Sequence, residues 1–222
     1  LLDRPPEENP AEESQAPVQV GNRLIEAIDA AQEEVWLVSA YLIPTGAFED
    51  AVDRAVARGV RVRILTNSIN SNNHLTAHSA YRRHVRHLVD SGAEVHEVRA
   101  DAEDRALYIE SPVSNKLLCL HAKALVFDRD TVFIGSANLD PRSLHINTEM
   151  GLLIKSESLN ADLRAALEPD FSLSNAWHVQ LGENGEMLWV SDDEVLNHQP
   201  ADSYMRRIED WFLSLLPIEE EM

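Results

Sequence analysis

The sequence predicts an α/β fold, built as one lobe on a sheet that is parallel in its first half and antiparallel in its second. Two patterns carry this reading. In the first part of the chain, apolar strand-like runs alternate with amphipathic segments of about a dozen residues, as parallel strands joined by helices require. Farther along, apolar runs at 117–127, 132–137 and 150–154 follow one another with little between them. Short connections of that kind favour antiparallel hairpins.

The elements follow in order. Residues 20–32 place Leu24, Ile25, Ile28 and Ala31 at helical spacing. Residues 35–43 (VWLVSAYLI) are continuously apolar until Pro44 and read as a buried strand. A helix over 48–58 ends at Gly59, and residues 60–66 (VRVRILT) form the next strand. Residues 77–90 read as one arginine- and histidine-rich helix ended by Gly92, followed by a strand at 94–98. Residues 100–116 are irregular. After the three hairpin strands, helices are expected over 159–167 and 203–215. Between them a hairpin joins 177–181 to 187–190 through Gly-Glu-Asn-Gly. The last helix sets Met205, Ile208, Trp211, Phe212 and Leu215 against a polar face. The acidic run Glu219, Glu220 and Glu221 after it favours core or lobe contact over a membrane-lying role.

Composition excludes several classes. The chain has 222 residues, and 19 basic against 38 acidic ones give a net charge of −19. Such a surface repels a phosphate backbone, so nucleic acid is not an expected partner. It also argues against electrostatic docking on an anionic membrane. The balance suits a protein kept hydrated in brine, and equally a generally acidic bacterial proteome. No run approaches the ~18 apolar residues of a membrane span. One cysteine, Cys119, permits neither an intrachain disulfide nor a cysteine-based zinc cage, and it reads as a small buried hydrophobe. Residues 1–18 open on leucine and are rich in Pro and Glu, which predicts a linker or disordered arm ahead of a lobe at 19–222. Together these predict a piece of a longer protein.

Chemistry concentrates in residues 121–149 (HAKALVFDRDTVFIGSANLDPRSLHINTE). His121 and Lys123 alternate onto one strand face, as do Ser136 and Asn138 on the next. A tight turn at Arg129-Asp130, with Asp128 opposite Thr131, sets His121 against Asn138 and Lys123 against Ser136. Lysine, serine and asparagine all donate hydrogen bonds and so form a receptor for a tetrahedral oxyanion. An imidazole whose other nitrogen is held by an acceptor can attack phosphorus, and Glu149 is positioned to be that acceptor. The chemistry indicated is phosphodiester cleavage through a phosphohistidine, with no metal or other cofactor required.

His121-x-Lys123, Asp128 four residues later, and Gly135-Ser136-x-Asn138 resemble the HKD signature of the phospholipase D superfamily. Residues 39–45 (SAYLIPT), 59–68 (GVRVRILTNS), 138–143 with 147–151, and 215–219 (LLPIE) are similar to the second half of bacterial cardiolipin synthase C-type proteins. The resemblance implies a mixed parallel and antiparallel sheet flanked by helices on both faces. It implies His121 as nucleophile or general acid, Lys123, Ser136 and Asn138 as phosphate ligands, Glu149 as the group orienting His121, and Asp128 and Gly135 as structural members of the motif. Such enzymes need two histidines, and this sequence has one motif. A second HKD lobe is therefore an expected partner, either an N-terminal half of the same protein or a second copy. Phospholipids are the expected substrates.

The resulting expectation is a phosphatidyltransferase half-site at a cytoplasmic or peripherally membrane-associated location in a bacterium. The alternatives are a phospholipase D-type hydrolase, a homodimeric phosphodiesterase or nuclease, and a non-catalytic phosphate-binding lobe. Blander readings cover the remaining polar residues: an ion pair for Arg142, a loop position for His145, and a solvated helix face for His74, His78, His84 and His87.

Overall fold

The computed structural model describes residues 19–107 and 118–216. The arm expected at 1–18 lies outside the described residues, as do 217–222 and most of the segment expected to be irregular before Lys116. Nine strands of the described chain form one sheet: β1 (Glu34–Ser39), β2 (Arg61–Asn67), β3 (Glu94–Val98), β4 (Lys123–Phe127), β5 (Thr131–Gly135), β6 (Gly151–Lys155), β7 (Ala176–Leu181), β8 (Met187–Val190) and β9 (Val195–Leu196). Their order is β6-β5-β4-β1-β2-β3-β7-β8-β9. Only β1–β2 and β2–β3 pair in parallel; every other neighbour is antiparallel. The helices are α1 (Val20–Ala30), α2 (Gly46–Ala57), α3 (Leu75–Tyr81), α4 (Val85–Ser91), α5 (Pro141–His145), α6 (Glu157–Leu167) and α7 (Tyr204–Leu213). No helix of the described residues is long and apolar enough to cross a membrane.

Burial on both faces explains the continuous apolar strands. On one face Leu24 and Ile28 of α1 and Phe48 and Val52 of α2 pack on Leu37, Ile64 and Val95. On the other, Leu159 and Leu163 of α6 and Phe171 pack with Trp36, Val38 and Val126. Arg63 enters that second layer with its guanidinium 4.5 Å from the Trp36 ring and 4.2 Å from Phe171, and it pairs with Glu168 at 2.9 Å. A buried arginine is tolerable there because its charge is paired and its plane is stacked on aromatics.

Four expectations need correction. The β4–β5 register pairs Phe127 with Thr131 and Ala124 with Ile134, so the loop holds three residues, 128–130, and not two. Asp128 is drawn out of the ladder at φ 47° because its carboxylate accepts from the backbone N–H groups of Gln32, Glu33 and Glu34. Continued at that spacing, Lys123 falls level with Gly135, so it does not face Ser136 directly. The single helix expected at 77–90 is two short ones, α3 and α4, separated by a turn in which Arg83 and His84 donate to Ala80 and Tyr81. His78 is not solvated: it is fully buried, its Nδ1 2.7 Å from Asp210 of α7. Cys119 is exposed, because the chain before Lys123 runs past the end of the sheet and is not part of a strand.

A stacked histidine pair, one ring buried and one half-buried, makes stability depend on pH. His96 of β3 stacks on His178 of β7 at 4.8 Å, and burial, helped by the charge of its neighbours, holds it down to about 4 from 6.5. Between those values the unfolded chain binds a proton that the folded chain refuses. Stability is therefore complete above 6.5 and falls as pH drops toward 4, by roughly 3 kcal/mol for this group. Urea unfolding across pH should record that slope, and His96→Phe should flatten it.

Candidate active site

The site is assembled where β1 and β2 end and β4 begins. Ser39, the last residue of β1, pairs with Lys123, the first of β4. Its hydroxyl donates to Tyr41 O at 2.7 Å and accepts from Leu139 N at 3.0 Å. Ile43 N also donates to Leu139 O at 2.7 Å, so the chain just after Asn138 is tied to the exit of β1. Asn67, the buried last residue of β2, reaches across β1. Its Nδ2 donates to Ala40 O and Leu120 O, at 2.9 and 3.0 Å, while its Oδ1 accepts from Leu120 N at 2.8 Å. One amide thus holds the non-strand segment that presents His121.

The glycine before Ser136 is set by close approach. Gly135 pairs with Gly151 across β5 and β6. A Cβ at Gly135 would lie 2.6 Å from Met150 O and 2.8 Å from the Phe133 ring, so a larger residue would push β6 away. With β6 close, Ser136 Oγ donates to the Glu149 carboxylate and accepts from Met150 N at 3.0 Å. The other Glu149 oxygen accepts from Asn147 Nδ2 at 3.4 Å.

His121 is exposed and Lys123 half-buried. Lys123 Nζ donates to His121 O at 2.9 Å and lies 3.3 Å from His121 Nδ1. Burial lowers the lysine from its ordinary range, and the carboxylates of Glu149 and Asp140 oppose that effect. Asp140, the N-cap of α5 through Ser143 N at 2.7 Å, is raised by burial. Hydrogen bonds from Ser143 and from the side chain of Asn138 counter the rise. Lys123, Glu149, Ser136 and Asn138 are therefore one electrostatic unit, although Lys123 and Ser136 do not oppose each other in the ladder. The bonds of Glu149 run to Ser136 and Asn147, and the neighbour of His121 Nδ1 is Lys123. Because an ammonium only donates, Nδ1 accepts in this arrangement and a neutral ring carries its proton on Nε2.

A cavity of about 250 Å³ lies beside this unit, with Tyr41 and His74 on one side and Asn138, Asp140 and Arg142 on the other. Arg142 bonds to Asn147 at 3.1 Å. Tyr41 donates to Asn73 and packs edge-on to His74 at 5.8 Å. Sequence reasoning assigned no role to Ser39, Tyr41, Asn67 or His74. The usable signal for two of them was a polar side chain closing an otherwise buried strand run, VWLVS and VRILTN.

Residues 24–171 match the family model described as cardiolipin synthase, PLD-like domain. Cardiolipin synthase C of Escherichia coli is 35% identical over 202 residues, which cover 89% of this chain and 42% of that protein. Cardiolipin synthase A of Pseudomonas aeruginosa is 33% identical over 150 residues, 68% of this chain and 27% of the relative. The crystal structure of Nuc, a phospholipase D family member from Salmonella typhimurium, superposes with a TM-score of 0.53 at 19% identity, covering 72% of this chain and 90% of that one. The fold is thus that of a phospholipase D-like lobe. The chain belongs to the cardiolipin synthase, PLD-like domain family. It spans about two-fifths of the length of its Escherichia coli relative.

Asn67→Ala deletes three hydrogen bonds to backbone groups with little access to water. It is expected to cost about 2–4 kcal/mol in urea unfolding. Amide exchange at Leu120 should accelerate well beyond that at Leu37.

Proposed function

We propose that this lobe supplies one of two histidine half-sites of a cardiolipin synthase-type phosphatidyltransferase. The observation that carries the reading is the grouping of His121 and Lys123 with the Ser136–Glu149 pair and Asn138 at one end of the sheet, in a chain of this family. Lys123 and the Asn138 amide donate to the phosphate oxygens of a phospholipid, and Ser136, whose one hydroxyl proton goes to Glu149, joins them when that proton turns to the phosphate. Gly135 allows the close approach of β6 on which that pairing rests. Asp128 acts on structure, by clamping the entry to β1.

The chemistry needs two histidines. One imidazole Nε2 bonds to phosphorus as the bond to the leaving alcohol breaks, and the second histidine gives that alcohol its proton. In the return step an acceptor alcohol on a second phospholipid loses its proton to the second histidine, bonds to phosphorus and frees the first. Water as acceptor would make the same site a phospholipase. His121 fills either role: as nucleophile it needs a free Nε2, as general acid a doubly protonated ring, and both require Lys123 to leave Nδ1.

The second histidine belongs to a second HKD lobe. β6 is an edge strand beside Ser136 and Glu149, and it exposes Met150, Leu152 and Leu153 next to Ile134. An uncovered apolar edge at a half-site supports contact with that lobe.

His121→Ala in the full-length protein is expected to lower phospholipid turnover about ten-thousandfold, with lobe stability unchanged. Unchanged turnover would remove the catalytic reading in favour of a phosphate-binding lobe. The solution mass of this 24.9 kDa chain separates the two sources of the second histidine. A monomer requires a preceding lobe for activity, whereas a dimer active on its own would indicate a self-sufficient phosphodiesterase.

A further inference from the structure

Asp140 carries more than a helix cap requires. As the N-cap of α5, its Oδ1 accepts from Ser143 N at 2.7 Å and its Oδ2 from Ser143 Oγ at 3.3 Å. Serine or asparagine caps a helix as well and brings no charge. Yet this carboxyl is only 6% exposed, and burial raises it. A charge kept where burial opposes it calls for a second role. Besides capping, Asp140 accepts from the side chain of Asn138, two residues before it.

That bond decides how Asn138 is set. Leu139, between the two residues, is held on both sides: its N donates to Ser39 Oγ at 3.0 Å, and its O accepts from Ile43 N at 2.7 Å. With the backbone fixed on the exit of β1, the Asn138 amide still has two settings, related by half a turn. In the observed one Oδ1 is buried and has no donor among the described residues. An oxygen that has lost its hydrogen bond is not what selects that setting. Turned over, the amide would aim Oδ1 at the Asp140 carboxylate, acceptor against acceptor. Both residues line the 250 Å³ cavity described above, so the amide hydrogens reach the place where substrate would bind. We propose that Asp140 is a positioning residue, which locks the Asn138 amide by tethering one of its two hydrogens and leaves the other for the substrate phosphate. The inference rests on the reading of Asn138 as a phosphate ligand.

A double-mutant cycle in the full-length protein, read as kcat/KM for phospholipid turnover, separates this role from the others Asp140 can play. Asp140→Ser and Asp140→Asn both keep the cap and lack the second carboxylate oxygen, and urea unfolding checks that the lobe stays intact. Asn138→Ala is expected to lower kcat/KM about a hundredfold, and each Asp140 variant about tenfold. Added to Asn138→Ala, either Asp140 variant should bring no further loss, because the group it acts through is gone. A tenfold loss that persists in the Asn138→Ala background overturns the proposal, since Asp140 then acts through α5 or through the charge of Lys123. Full turnover in both Asp140 variants overturns it as well. Unchanged turnover in Asn138→Ala would remove the phosphate-ligand reading together with the tether. A large loss in Asn138→Ala with independent Asp140 losses removes the tether alone.

Discussion

Strand β1 is the constraint on which the rest of the structure depends. It is buried along its whole length, runs parallel to β2 on one side and antiparallel to β4 on the other, and so marks where the sheet changes direction. Both of its ends are tied by side chains from distant segments. At the entry, Asp128 from the β4–β5 loop accepts from three consecutive backbone N–H groups. At the exit, Ser39 and Asn67 bind the chain that carries Asn138 and the chain that carries His121. Ligand sites of open α/β sheets gather outside the carboxyl ends of the strands where the strand order reverses, as between β1 and β4 here, because connections leave to both sides and open a crevice. The half-site proposed here lies at that point.

Its electrostatics run against those of the molecule as a whole. The chain has a net charge of −19, yet the proposed phosphate site is centred on an ammonium, that of Lys123. Burial strips water from the ammonium and lowers its affinity for a proton. Glu149 and Asp140 restore part of it without pairing directly, so donors remain for a phosphate. Ser136 and Asn138 are held by the same two carboxylates. One set of acids therefore bonds to Ser136 and Asn138 and opposes the effect of burial on the lysine.

The buried polar groups beneath α7 are a second organising feature. Tyr81 donates to Glu97 at 3.0 Å, and burial pushes both groups up. Asp210 meets the same penalty of burial, but hydrogen bonds from His78, Arg82 and Ser79 hold its carboxyl below the usual range. A carboxylate so satisfied fixes the rotational setting of its helix more sharply than apolar packing could, since any other rotation leaves it unpaired. An outward apolar stripe, Trp211 and Phe212 included, follows from that setting.

Much was legible from the sequence alone: the strand runs apart from β9, helices α1, α2, α6 and α7, and the mixed sheet. These follow from period, chain punctuation and motif spacing, which are local. The β4–β5 register was not, because the loop length depends on bonds from Asp128 to residues 32–34, far off in sequence. Nor was the burial of His78, which a carboxylate 132 residues later decides. Cys119 and Leu120 look like strand from composition, yet Asn67 holds that segment outside the ladder, with Cys119 exposed. Sequence by itself determined which chemical groups the lobe carries and which elements bear them. Tertiary structure decided which way those groups face, because a single long-range hydrogen bond to a buried amide or carboxylate outweighs the weak local preferences that sequence patterns report.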